Sequence, residues 1–143
     1  MNLKRIFHLI SEDDLHELND VTHSMKNSPF LVFIVAPWCK YCKELEPTIN
    51  ELENELIKKK EFNNLNILKI SDKCKDKLNL EINSYPTIRL INNGNHIDFN
   101  GERKPENIKY FLRDNLKRIF SGGKKLNKKK TKKTKKRKRV KSK

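Results

Sequence analysis

An unbroken apolar run, Phe30-Leu31-Val32-Phe33-Ile34-Val35, stands out in a chain otherwise crowded with Lys, Glu and Asn. A run of this kind reads as a central parallel strand covered on both faces. Ahead of it, Ile6 to Ile10 reads as a short first strand. Ser11 then suits a helix N-cap, with Asp14 in the capping-box position. Leu15, Leu18, Val21 and Met25 follow at helical spacing and predict a helix to about Lys26, which Asn27-Ser28-Pro29 ends. Beyond the run, Cys42, Leu45, Ile49, Leu52 and Leu56 make one face of a helix from Cys39 to about Lys60. Pro47 lies inside that helix and predicts a kink there.

The second half carries shorter signals. Leu65 to Ile70 is the next strand, and Lys73 to Leu80 a short helix or helical turns. Thr87 to Ile91 and His96 to Phe99 read as two strands joined across Asn92-Asn93-Gly94-Asn95, and an Asn-Gly centre makes them an antiparallel hairpin. Pro105 opens a last helix whose buried stripe is Ile108, Phe111, Leu112, Leu116, Ile119 and Phe120, with Gly122-Gly123 as its stop. The order β-α-β-α-β-(α)-β-β-α predicts an α/β fold. Its central mixed sheet has parallel βαβ units, a C-terminal antiparallel hairpin, and helices on both faces.

Charge divides the chain in two. The formal net charge is +15, yet residues 124–143 hold 14 of the 33 Lys and Arg and none of the 18 acidic side chains. Residues 1–121 are therefore expected to form the domain and 122–143 a disordered basic tail, since like charges repel and almost nothing apolar is present to fold on. Lys135-Lys136-Arg137-Lys138-Arg139-Val140 resembles a nuclear localisation signal. An import receptor, nucleic-acid phosphates held by counterion release, or an anionic membrane surface would each suit the tail. The tail lacks aromatic residues for stacking, so base-specific recognition is not expected. Ile6 to Ile10 is too short for the core of a signal peptide, and no apolar run approaches a membrane span. The expected location is intracellular, with cytosol, nucleus and virus particle all compatible. The surplus of Asn, Lys and Ile fits an AT-rich genome.

The chemistry sits where the apolar strand hands over to a helix. Val35-Ala36-Pro37-Trp38-Cys39-Lys40-Tyr41-Cys42-Lys43 places two thiols on the first turn, where backbone N–H groups favour a thiolate. With three cysteines in all, a disulfide framework is not expected, and a C-x-x-C pair beside β/α patterning points to redox catalysis. A zinc site would need two further ligands, and Cys74, His8, His16, His23 and His96 are scattered. No metal is therefore expected. Cys74 reads as a semi-buried bystander, with a regulatory thiol as the sharper alternative.

Taken together, Ala36-Pro37-Trp38-Cys39-x-x-Cys42-Lys43, Pro47, Tyr85-Pro86-Thr87, Asn93-Gly94 and Phe99-x-Gly101-x-Arg103 resemble the thioredoxin superfamily. They are most similar to single catalytic (a-type) domains of protein disulfide isomerases, over roughly residues 5–120. Tyr41 before Cys42 resembles glutaredoxins, but Trp38, Pro47 and the N-terminal β-α unit set the chain apart from them. The resemblance implies a thioredoxin fold and thiol–disulfide exchange without a cofactor. Cys39 would be the exposed nucleophile and Cys42 the buried resolving thiol. Pro86 would be a cis proline against the dithiol, with Trp38, Tyr85 and Thr87 beside it positioning substrate. Lys40, Lys69 and Arg103 would tune the thiols, and Lys40 leads us to expect a reduction potential above the roughly −270 mV of thioredoxin. Partners would be protein disulfides or dithiols, together with thioredoxin reductase, glutathione or another thiol system. In one respect the chain departs from the pattern: where thioredoxins and isomerases bury an Asp or Glu, it has Phe33, so deprotonation of Cys42 is expected to rely on Lys69, Arg103 or water. The rival reading is a nucleic-acid-associated or structural protein, such as a virion component, that uses the fold as a scaffold with little catalysis.

Overall fold

The computed structural model describes residues 4–122, with side chains described as far as residue 116. Strand β1 is Ile6–Leu9, β2 Phe30–Val35, β3 Asn66–Ser71, β4 Thr87–Asn92 and β5 Asn95–Asp98. The helices are α1 Leu18–Asn27, α2 Lys40–Leu56 and α3 Pro105–Gly122. The sheet order is β1-β3-β2-β4-β5. β3 runs parallel to both β1 and β2, and β4 is antiparallel to β2 and to β5. This is the mixed sheet of parallel and antiparallel strands that the residue pattern predicts, with β2 among the strands paired on both sides.

Burial along β2 is complete, as its composition demands: every residue from Phe30 to Val35 is buried. Successive side chains alternate between sheet faces. Phe30, Val32 and Ile34 join Phe7, Leu9, Leu68 and Ile70 in a core closed by Val21 of α1. Phe33 points to the opposite face together with Lys69, its register partner on β3.

The expected helix from Ser11 divides in two. Ser11 and Asp14 do form a capping box, but the turn they start is a 3₁₀ segment, Glu12–Glu17, and α1 begins only at Leu18. Asp14 Oδ2 accepts from Ile10 N at 2.9 Å as well as from Ser11 N at 3.2 Å, which ties the turn back to β1 and tightens it. The segment expected as a short helix after β3 is likewise a 3₁₀ turn, Lys75–Leu78, closed by Asn79 in the left-handed conformation. The hairpin follows its Asn-Gly signal, with Asn93 at φ 53° and Gly94 at φ 86° between β4 and β5.

Arg5 gains a structural role that its sequence position did not suggest. Its guanidinium donates to the carbonyls of Leu65 (3.0 Å), Ile57 (3.2 Å) and Phe62 (2.6 Å), pinning the loop between α2 and β3 to the start of β1.

The chain divides into two units, Met1–Ile108 and Lys109–Lys143. In the second, α3 continues to Gly122, and Asn115 Nδ2 donates to Phe111 O at 2.8 Å. The expected glycine stop falls at the edge of the described residues, and the basic tail lies outside them. Among the described residues, no helix is long and apolar enough to cross a membrane.

Candidate active site

β2 ends at Val35, and the chain turns through Ala36-Pro37-Trp38 into α2. Cys39 N donates to Ala36 O at 3.2 Å, which closes this turn and sets Cys39 as the helix N-cap. In that place an Asp or Ser oxygen would accept from the first helical N–H groups. Here Cys39 Sγ does so, accepting from Cys42 N at 3.0 Å. The sulfur therefore lies at the positive end of the α2 dipole. Both cysteines are free thiols.

The expectation of an exposed Cys39 is corrected: the residue is 5 % exposed, close to the 3 % of Cys42. Its neighbours Trp38 and Tyr41 take the outer positions, at 68 % and 60 %. An N-cap conformation turns the sulfur in toward the helix end, which accounts for the difference. Burial is also the main reason the Cys42 thiol is pushed up to about 12, and its contact with Cys39 acts in the same sense. A backbone hydrogen bond from Ala36 and the positive charge of Arg103 act the other way. Arg103 thus stands where its charge favours the Cys42 thiolate.

The raised value has a consequence for stability. Folded Cys42 holds its proton to about 12, whereas an unfolded thiol releases it near 9.0. Between those values the unfolded chain binds fewer protons, so the reduced protein loses stability as pH rises through the window. Denaturant melts of wild type and Cys42→Ala from about pH 8 to 11 check this. The wild type is expected to lose its advantage over the variant as pH rises; parallel curves would mean that the fold leaves the thiol at its ordinary value.

The substrate-positioning candidates flank the end of β2 and the start of β4. Trp38 meets Tyr85 edge-on with ring centroids 5.2 Å apart, and the Tyr85–Pro86 peptide bond is cis. Thr87 opens β4 opposite Ile34 of β2, and its hydroxyl donates to Ser84 O at 2.7 Å. Pro86, Thr87 and Arg103 line one polar cleft of about 280 Å³, beside the buried Arg89 that pairs with Asp98 at 2.6 Å. Lys40 is the first residue of α2 and is exposed.

Lys69 is engaged elsewhere than at a thiol: its ammonium meets both carboxylate oxygens of Glu46, at 3.1 and 3.2 Å. Glu46 escaped the sequence reading, although it stands four residues after Cys42 on the same helix. Asp72 also escaped it. Its Oδ2 accepts from Trp38 Nε1 at 3.1 Å and anchors the indole, while its Oδ1 is buried without a hydrogen-bond partner. Only the return of the chain from β3 beside the motif reveals that pairing. Cys74 is buried in the core on the α1 face, its sulfur 3.8 Å from Ser11 O. Among the described residues, no three of His, Cys, Asp and Glu form a group that could hold a metal ion.

The chain has relatives among known proteins. The thioredoxin family model matches residues 13–114. The chain belongs to the thioredoxin family. Among relatives of this thioredoxin domain, the protein disulfide-isomerase of Gallus gallus is 33 % identical over 90 residues, covering 61 % of this chain and 17 % of the relative. A thioredoxin domain-containing protein 5 homolog of Drosophila melanogaster is 30 % identical over 102 residues, covering 69 % of this chain and 24 % of the relative. The match thus spans no more than about a quarter of either relative's length. Solved structures agree on the fold. The zinc-bound form of human ERp44 superposes with a TM-score of 0.62 at 20 % identity, covering 82 % of this chain and 34 % of that one. The first thioredoxin domain of mouse protein disulfide-isomerase A4 gives 0.53 at 22 % identity, covering 73 % and 72 %.

Proposed function

We propose that this thioredoxin domain catalyses thiol–disulfide exchange on protein substrates through Cys39 and Cys42. The observation that carries the reading is the N-cap thiol of Cys39, 3.0 Å from the N–H of Cys42, with the second thiol buried beneath the first turn of α2. The Cys39 thiolate attacks a substrate disulfide and forms a mixed disulfide. Cys42 then attacks Cys39 and releases reduced substrate, and the reverse course oxidises a dithiol. Trp38, Tyr85, Pro86 and Thr87 form the surface against which an extended substrate segment lies. Arg103 favours the Cys42 thiolate, and Lys40 and Lys69 add positive charge at the mouth and flank of α2. The regenerating partner is a cellular thiol system, such as glutathione or thioredoxin reductase. The basic tail directs the domain to the nucleus or to nucleic-acid phosphates.

Cys42→Ser tests this directly. The variant keeps the attacking thiol but cannot resolve the adduct, so it is expected to accumulate mixed disulfides with protein substrates, visible on non-reducing gels and reversed by dithiothreitol. Absence of such adducts, with insulin reduction by the wild type no faster than by dithiothreitol alone, would favour the scaffold reading.

A further inference from the structure

Resolution of the mixed disulfide requires that Cys42 lose a proton, and the strand position that would offer a buried acid holds Phe33. The structure supplies a carboxylate from another element. Cys42 and Glu46 are one turn apart on α2, and residues at that spacing face the same way with Cβ atoms about 5–6 Å apart. Both line a cleft of about 440 Å³ whose walls include Val35 and Ala36. Glu46 is the acid among the described lining residues of that cleft; the other charged groups lining it are Lys43, Lys69 and Lys73. Lys69, the register partner of Phe33, reaches up from β3 and grips the Glu46 carboxylate through both oxygens. The ion pair is partly open to solvent, with side-chain exposures of 16 % for Lys69 and 41 % for Glu46.

We propose that Glu46 is the proton acceptor for Cys42, taking over from helix α2 the task that no carboxylate on β2 can perform here. The proposal rests on the thiol-exchange reading of the dithiol. The cleft is roomy enough for water, of which each molecule needs roughly 30 Å³, and water relays the Cys42 proton to Glu46. The Cys42 sulfur then uses its electron pair to form the bond to Cys39 Sγ. The bond between Cys39 and the substrate sulfur breaks, and that sulfur leaves with the bonding pair and takes a proton back from the Glu46 carboxyl or from solvent. The dithiol is oxidised and the substrate disulfide reduced, with no further reactant. Arg103 acts on Cys42 through its charge, while Lys69 holds Glu46 in place.

The test separates the two chemical steps in the full chain by rapid acid quench with a peptide disulfide. Glu46→Gln is expected to leave mixed-disulfide formation by Cys39 unchanged and to slow its resolution about 10²-fold near neutral pH, the low end of what a positioned base supplies. Its resolution rate should climb about tenfold per pH unit as solvent base takes over, and Glu46→Asp should recover most of the loss. The double variant Glu46→Gln, Lys69→Met removes the unpaired ammonium and should stay slow. Wild-type resolution in Glu46→Gln, or recovery in the double variant, would overturn the proposal and leave Glu46 as no more than a partner for Lys69. Absence of any mixed disulfide with the wild type would overturn the thiol-exchange reading and this proposal with it.

Discussion

Replacing Cys39 by serine is expected to bring disulfide reduction down to the rate of the reducing agent alone. Only the sulfur at the N-cap can open a substrate disulfide, because a hydroxyl in its place forms no stable bond to sulfur and is not ionised at neutral pH. Cys42 cannot substitute. Its thiol is pushed up to about 12, so almost none of it is thiolate near neutrality. The fold should survive the change, since serine is a good N-cap and its oxygen can accept from the Cys42 N–H as the sulfur does. Insulin turbidity with dithiothreitol measures the effect, and a circular dichroism melt confirms folding. A folded Cys39→Ser protein that still reduced insulin like the wild type would remove the basis for assigning Cys39 as the attacking thiol.

Phe33→Ala is expected to produce the largest loss of stability from a single truncation near the site, about 3–5 kcal/mol. Phe33 is fully buried in β2, between Lys69 on β3 and Ile88 on β4, and its removal leaves a cavity beneath α2 that paired strands cannot close. For a domain of this size that is a fall in Tm on the order of 10–20 °C. Phe33→Glu asks a different question of the same position. It places a carboxylate beside Lys69, in competition with Glu46, and should alter the pH dependence of turnover. Thermal melts read the first effect and pH–rate profiles the second. A Phe33→Ala melt within a few degrees of wild type would mean the core can collapse around the gap, and an unchanged Phe33→Glu profile would mean that acid at this position does not reach Cys42.

The elements that the chain announced were those with strong local periodicity. The apolar β2 run, the one-sided apolar pattern of α2 and the Asn93-Gly94 turn each specify their conformation over a few residues, so they were legible without tertiary information. The Ser11 cap was also legible, but the 3₁₀ geometry after it was not. That tightening depends on Asp14 bonding back to Ile10, which no spacing rule reveals. Cys39, Cys42, Pro86 and Arg103 could be named because their motif carries them. The inward turn of Cys39 could not be read, since burial belongs to the folded chain.

By itself, the sequence determined the order of elements, the placement of the dithiol at a helix start and the absence of an acid at position 33. Tertiary structure alone decided what surrounds that dithiol. Glu46 and Lys69 are far apart in the chain and meet only because α2 lies over the sheet face that carries Lys69. Asp72 reaches Trp38 because β3 pairs with β2 and ends beside the motif. Local propensity sets the backbone of each segment, but charge pairing and desolvation depend on distances across the sheet, and those distances exist only once the strands have aligned.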